Sequence, residues 1–429
     1  MSALPAWRRL VALAQGVFTR PGFALFEEIV TAWVLCVGRP TTTNLVRILG
    51  PGARRAHDAY HRWFRAARWD PLGLWAATLA GLVGTFAPTG DLTLLADDTH
   101  LPKTGPKVEG AGKFRDPIRS TRRHVVYLHG LNIVVLCLRL RLPALRQPVA
   151  VPINVRVYRK GGPSHLDLLA DMARQVIDWL PDRQFLLIAD GAYAPLAKRD
   201  LPRTHVISRL RRDAALYDLP APRRKGQRGR PRKRGERLPC PRDMARQITS
   251  WQRVTVHVRD RVVDRWLATR VVLWYGVLAA RPVQLVIVRD PSGKQPDDFF
   301  FTTDLTATAE SVVSNYADRW SIEVTFRDAK QVLGAAQPQA WKFLGPERVA
   351  HLAFWLHGAI WTWYLTCHGD QPVWHRDPWY KHKTSPSFAD ALTALRTVLW
   401  NERLFLGSLS RRLEPEITDT LIQALARAG

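Results

Sequence analysis

The sequence predicts an α/β protein: a mixed sheet with helices packed on it, between helical regions at both ends of the chain. Three observations carry this. Apolar residues recur at helical spacing up to about residue 88, and the chain turns helical and Trp-rich again from 347 onward. Between these regions lie β-rich runs, with one helical segment set among them. The 429 residues exceed one ordinary domain, and a hydrophobic content of 46% is enough for a large core.

In the N-terminal region, ALFEEIVTAWVLCV has apolar positions at helical spacing and RRAHDAYHRWFRAARW reads as a basic, aromatic amphipathic segment. His57 and His61 stand four apart without the Glu of the metalloprotease pattern, so they read as helix surface. The period then shortens. DLTLLADD (91 to 98) reads as a strand. HVVYLHGLNIVVLCLRLRL (124 to 142) is long enough for two strands joined near Gly130, and PVAVPINVRVY (148 to 158) is another strand. SHLDLLADMARQVIDWL (164 to 180) is helical, and QFLLIAD (184 to 190) is a buried strand. Residues 209 to 247 interrupt this order. RRKGQRGRPRKRGER (223 to 237) carries too little apolar surface to be buried and reads as an exposed, mobile loop. Three further strands follow, then a turn and a last short strand, and the remainder is helical.

Lys and Arg number 63 against 37 Asp and Glu, a formal charge of +26. Such an excess strains a compact fold unless a polyanion shares the surface, and clustered cations point to nucleic acid. A compositional preference for Arg is the competing explanation. The four Cys form no C-x-x-C pair, so neither a zinc site nor a disulfide framework is indicated, and reduced thiols are expected. No signal peptide is visible. The longest apolar stretch, 351 to 367, is shorter than the roughly 20 residues of a membrane span and reads as a buried helix. A cytoplasmic, nucleoid-associated protein without a membrane partner is the expectation.

The segment YADRWSIEVTFRDAKQVLG (316 to 334) reads as one helix. It sets Tyr316, Arg319, Glu323, Arg327 and Lys330 on one side, beside an apolar stripe of Ile322, Phe326, Ala329 and Leu333. One reading is a salt-bridge ladder, since Arg319 and Arg327 lie four residues either side of Glu323. The other involves two more acids. Asp97 and Asp190 each end an apolar strand, which places them at a sheet edge. Two such Asp and a helical Glu can hold two Mg²⁺ ions through oxygen ligands, as phosphodiester cleavage requires, with Mn²⁺ as a substitute.

The spacing Tyr316-x2-Arg319-x3-Glu323-x6-Lys330 resembles the Y-R-E-K signature of DDE transposases from bacterial insertion sequences, the branch typified by the IS-four group. LLADDTHLPKTG (94 to 105) and FLLIADGAY (185 to 193) resemble the blocks around that family's two Asp. The resemblance spans about 90 to 345 and implies an RNase H-like core with a β-rich insertion between the second Asp and the Glu. It implies a helical DNA-binding domain at 1–88, core at 89–208, basic loop and insertion at 209–304, the Glu helix at 305–345 and a helical region at 346–429. Asp97, Asp190 and Glu323 become the catalytic, metal-binding acids, with Asp98 as the alternative to Asp97. Arg319 and Lys330 would clamp phosphates and Tyr316 would touch the adjoining backbone. Gly191 and Ala192 follow Asp190 where better-known members carry charges, so hairpin formation is not carried over.

Other DNA contacts are read more loosely. Trp320, Trp251, Trp266 and Trp274 are candidates for stacking a flipped base, against core packing. Arg228 and Arg230 of RGRP resemble an AT-hook, against general phosphate attraction. Lys103 touches DNA or is a solvated lysine. The partners implied are double-stranded DNA, as terminal inverted repeats and target, and a second subunit across paired ends. Two rivals stand beside a transposase: a catalytically silent DNA-binding derivative, and a related nuclease that cleaves without joining.

Overall fold

The computed structural model describes residues 2–116, 119–143, 145–223, 229–258, 261–376, 378–379, 381–406 and 415–428. Five helices come first: α1 (Ala3–Ala12), α2 (Arg20–Leu35), α3 (Thr42–Leu49), α4 (His57–Ala66) and α5 (Pro71–Phe86). Thr19, Thr41 and Asp70 start α2, α3 and α5 by accepting the backbone N–H of Gly22, Asn44 and Leu72. Strands β1 (Leu92–Pro102), β2 (Gly112–Arg115), β3 (Tyr127–Leu140) and β4 (Val149–Tyr158) follow. Then come α6 (His165–Trp179), β5 (Phe185–Ala189) and β6 (Thr204–Arg209). The insertion supplies α7 (Pro241–Gln247), β7 (Gln252–Val258), β8 (Arg261–Leu273), α8 (Tyr275–Leu278), β9 (Pro282–Arg289) and β10 (Asp298–Thr302). Five helices close the chain: α9 (Ala309–Asp318), α10 (Trp320–Gln331), α11 (Gly345–His368), α12 (Phe388–Leu406) and α13 (Pro415–Arg427).

Among the described residues the ten strands form one mixed sheet in the order β2-β3-β1-β5-β6-β10-β9-β8-β7, with β4 paired to β3. Strand β5 runs parallel to β1 and β6 parallel to β5, while β3 and β4 are antiparallel to each other. Taking β4-β3-β1-β5-β6 as the core, this is the RNase H-like arrangement expected. The insertion continues the same sheet from β6 through β10, every added pairing being antiparallel.

Contacts divide the chain into two compact units. One comprises Thr89–Asp97 and Leu169–Ile322. In it α9 packs on the insertion strands, burying Val312 and Val313. The other comprises Met1–Pro88, Asp98–Leu168 and Glu323–Gly429. Its centre is α11, buried along most of its length and packed on β4. Gly358 allows that approach, because a Cβ there would stand 3.3 Å from the Pro152 carbonyl oxygen. The expected buried helix is thus found, and no described helix is long and apolar enough to cross a membrane. Trp33, Trp63, Trp75, Trp355 and Trp363 are all core residues of this unit.

Three expectations need correction. Residues 127–140 form the single strand β3 rather than two. Gly130 makes no turn; it lets β3 pass the Leu101 carbonyl, with which any Cβ would collide. The segment 316 to 334 is two helices meeting at Arg319. There the hydrogen bonds tighten to three-residue spacing (Ile322 N to Arg319 O, 3.0 Å), and the Ser321 hydroxyl donates to the Asp318 carbonyl. The apolar stripe of Ile322, Phe326, Ala329 and Leu333 is nevertheless buried as expected. The basic loop is exposed over 229–234, but its end is tied down: Arg237 bridges to Tyr217, and Arg234 lies over the rings of Tyr217 and Tyr275. Arg228 lies outside the described residues.

Arginines, two buried and one half-buried, close three helices in the larger unit. Each α-helix ends in carbonyls without internal partners and with partial negative charge. Arg348 of α11 donates to the carbonyls of Trp63, Phe64, Ala67 and Trp69 around the end of α4, and its guanidinium lies over the Trp69 ring. Arg396 of α12 serves Val34 and Cys36 at the end of α2, and Arg403 serves Leu49 at the end of α3. Arg348→Leu should therefore lower unfolding free energy by about 3 kcal/mol or more, since several buried carbonyls lose their donor. Urea titration checks this against Arg62→Leu on the exposed face of α4, expected to stay within about 0.5 kcal/mol.

Candidate active site

The β1/β5 pairing builds the site in the smaller unit. The parallel register runs from Leu92↔Phe185 to Ala96↔Ala189. Asp97 and Asp190 are therefore the next residues on neighbouring strands, roughly 4.8 Å apart along the hydrogen-bonding direction. Both follow apolar runs buried by the sheet, but only Asp190 stands at the carboxyl end of its strand; β1 runs on past Asp97 to Pro102, which corrects the expectation that both acids end their strands at a sheet edge. Asp190 is held by its backbone: its carbonyl accepts from the Tyr193 N–H at 2.9 Å and the Ser208 hydroxyl at 2.9 Å. Gly191 fits closely behind it, since a Cβ would stand 3.3 Å from the Arg209 carbonyl.

The C-terminal end of α9 covers these acids. Arg319 Nη1 donates to Asp97 Oδ2 at 2.6 Å, with the two side chains only 14% and 20% exposed. The Tyr316 hydroxyl donates to Asp190 Oδ1 at a long 3.4 Å, and Arg319 lies over the Tyr316 ring at 5.7 Å. Burial, with a smaller push from Asp190, raises the Tyr316 phenol to about 12, so it remains a neutral donor. The polar atoms of both residues face the carboxylates.

Asp97 and Asp98 separate cleanly. Successive strand residues point to opposite faces. In the larger unit, Asn132 Nδ2 donates to Asp98 Oδ2 at 3.5 Å, and Asn132 Oδ1 stands 3.2 Å from His165 Nε2. The His165 ring stacks on Tyr158 at 3.9 Å. This network engages Asp98. Nothing in the spacing of Asn132 and His165 signals it beforehand.

In the same unit Glu323 is half-buried in the first turn of α10. Seven residues on, Lys330 Nζ donates to the Thr99 hydroxyl at 2.9 Å, and burial pulls its pKa below the usual lysine value. Arg327 pairs with Asp328 at 3.0 Å. Among the described residues no group of three or more His, Cys, Asp or Glu is gathered closely enough to hold a metal ion. Asp97 and Asp190 carry carboxylate oxygens of the kind a hard divalent ion takes, with water completing its shell. Arg319 would share Asp97 with such an ion.

The remaining candidates divide. Lys103 is not a solvated lysine: its ammonium donates to the carbonyls of Ala336 at 2.7 Å and Pro338 at 3.2 Å. Trp274 is core, packed edge-on against Phe301. Trp251 and Trp266 are covered by Arg289 and Arg253 at 4.3 and 5.5 Å. Trp320, 40% exposed, and the exposed Arg230 keep surfaces open to a ligand.

A family model described as DDE superfamily endonuclease matches residues 17–280, a stretch that contains Asp97 and Asp190. An archaeal ISC1217-type transposase model matches residues 255–345, which contain Glu323. No curated protein matches the chain.

The buried phenol gives a pH test. An unfolded tyrosine ionises near pH 10, whereas Tyr316 holds its proton to about 12, so the native state binds the extra proton and stability falls as pH rises through this window. Between pH 9 and 11 the wild type should lose about 1 kcal/mol more than Tyr316→Phe in urea unfolding. Equal losses would place the phenol in solvent.

Proposed function

Since this chain belongs to the DDE superfamily endonucleases, we propose that it is the transposase of a bacterial insertion sequence, cleaving and joining strands at the element's ends. The observation that carries the reading is the β1/β5 register, which puts Asp97 and Asp190 side by side. Nucleases of this superfamily generally use divalent metals. Asp97, Asp190 and Glu323 would hold Mg²⁺, or Mn²⁺ in its place. Such ions, when bound, activate an attacking water or hydroxyl and stabilise the leaving oxygen.

The chain's own residues prepare the acids. Arg319 fixes the rotamer of Asp97 and offsets its charge, and Tyr316 donates to Asp190. Lys330, through Thr99, ties the helix that carries Glu323 to β1. Arg319 and Lys330 are therefore positioning residues in this proposal, and Trp320 and Arg230 are left to meet DNA. The exposed Arg62 and Arg65 of α4 supply cations for terminal-repeat DNA. The IS-four-type branch, with Y-R-E-K at Tyr316, Arg319, Glu323 and Lys330, belongs to the proposal. So do action on the nucleoid in the cytoplasm and a dimer that cuts paired ends together.

Strand-transfer assays on linear end-bearing DNA test this. The wild type should yield joined product with Mg²⁺. Asp97→Asn, Asp190→Asn and Glu323→Gln should each lose about 10³-fold or more in cleavage, with end binding nearly unchanged. Nicks without joined product would identify a nuclease, and binding alone a silent derivative. Full cleavage by any one variant would remove that acid from the site.

A further inference from the structure

The loop between α10 and α11 presents an unusual tip. Trp341, Lys342, Phe343 and Leu344 are four consecutive exposed residues, the three apolar ones 47%, 65% and 48% exposed. Such a run is costly in water unless something covers it. Phe343 also holds a left-handed backbone, φ +53, which a residue with a Cβ rarely adopts outside functional sites. The tip is held firmly from beneath. Lys103 donates to the Ala336 and Pro338 carbonyls, Trp33 Nε1 to the Leu333 carbonyl at 2.8 Å, and the Glu109 N–H to the Trp341 carbonyl at 2.9 Å. The fold thus keeps two large aromatic side chains about half exposed or more, with one face of Trp341 shared with the Lys342 ammonium.

The charge around them selects the occupant. Lys342 Nζ lies 4.5 Å over the Trp341 ring, putting an ammonium beside an exposed aromatic. The segment joined to the tip through Glu109 exposes Lys107, Lys113 and Arg115. Aromatic faces interleaved with cations fit bases that have left the duplex stack, with their phosphates on the lysines. A paired duplex hides its base faces, and a protein surface of ordinary composition gains little from so many lysines.

We propose that Trp341 and Phe343 stack on unpaired bases of a DNA strand, making this loop a binding site for frayed or single-stranded DNA. It rests on the preceding reading only in taking DNA as the ligand, and needs none of the cleavage chemistry.

The test uses the full chain in EDTA, so that strands are not cut, and fluorescence anisotropy with a blunt duplex and the same duplex bearing a thymidine tail. The wild type should bind the tailed duplex more tightly. Trp341→Ala and Phe343→Ala should weaken tailed binding about ten-fold while leaving blunt binding within about two-fold. Phe343→Gly, which relieves the left-handed backbone, should keep the unfolding midpoint and still lose the tail preference. Equal wild-type affinity for both DNAs, or variants that retain the preference, would overturn the stacking site alone. Variants that keep tailed binding but change the sedimentation of the free protein would overturn it in favour of a contact between copies of this chain. Failure of the wild type to bind either DNA would instead overturn the DNA reading itself.

Discussion

Two carboxylates on adjacent strands are the constraint around which the smaller unit is organised. At about 5 Å and an effective dielectric near 20, two such charges repel by about 3 kcal/mol. A sheet edge tolerates this only if cations or donors answer it. Here they come from one short stretch: Arg319 meets Asp97 and Tyr316 meets Asp190, both at the end of α9. The break at Arg319 then has a cause. A regular helix continues its hydrogen-bond ladder undisturbed, whereas the tightened turn lets the guanidinium reach β1 while Ser321 holds the Asp318 carbonyl. Backbone irregularity and charge neutralisation are one arrangement.

The two acids were legible because each follows an apolar strand run, LTLLA or FLLIA, but β1 runs on through Asp97 to Pro102, so only Asp190 ends its strand. Pairing the two runs in parallel then sets both acids side by side. The four insertion strands were legible for the same periodic reason. Partner choice was not. A helical wheel shows that Tyr316, Arg319 and Lys330 share a side, but not what stands opposite, and they proved to face Asp190, Asp97 and Thr99. Gly130 was misread because a glycine serves a turn or a close approach equally well, and only the neighbouring Leu101 carbonyl decides between them. Asn132 and His165 were invisible, since their link to Asp98 spans elements that the sequence does not connect.

Net charge was a partly misleading guide to the surface. The excess of +26 is real, yet several of its members face inward. Arg348, Arg396 and Arg403 terminate helices, Lys103 holds a loop, and Arg319 and Lys330 are engaged near β1. Cations available to a polyanion include those on α4, on the segment around β2 and on the exposed loop over 229–234. Location therefore carries the nucleic-acid argument better than the total does.

The guanidinium ends of α2, α3 and α4 also bear on how this chain can drift. Lysine presents its three donors from a single atom, whereas Arg348 spreads its donors in a plane across four carbonyls. Under mutation pressure that trades arginine codons for lysine codons, the solvent-facing cations are interchangeable and these are not. A host genome drifting toward low GC content would erode the protein first from its interior, long before its affinity for a phosphate backbone changed.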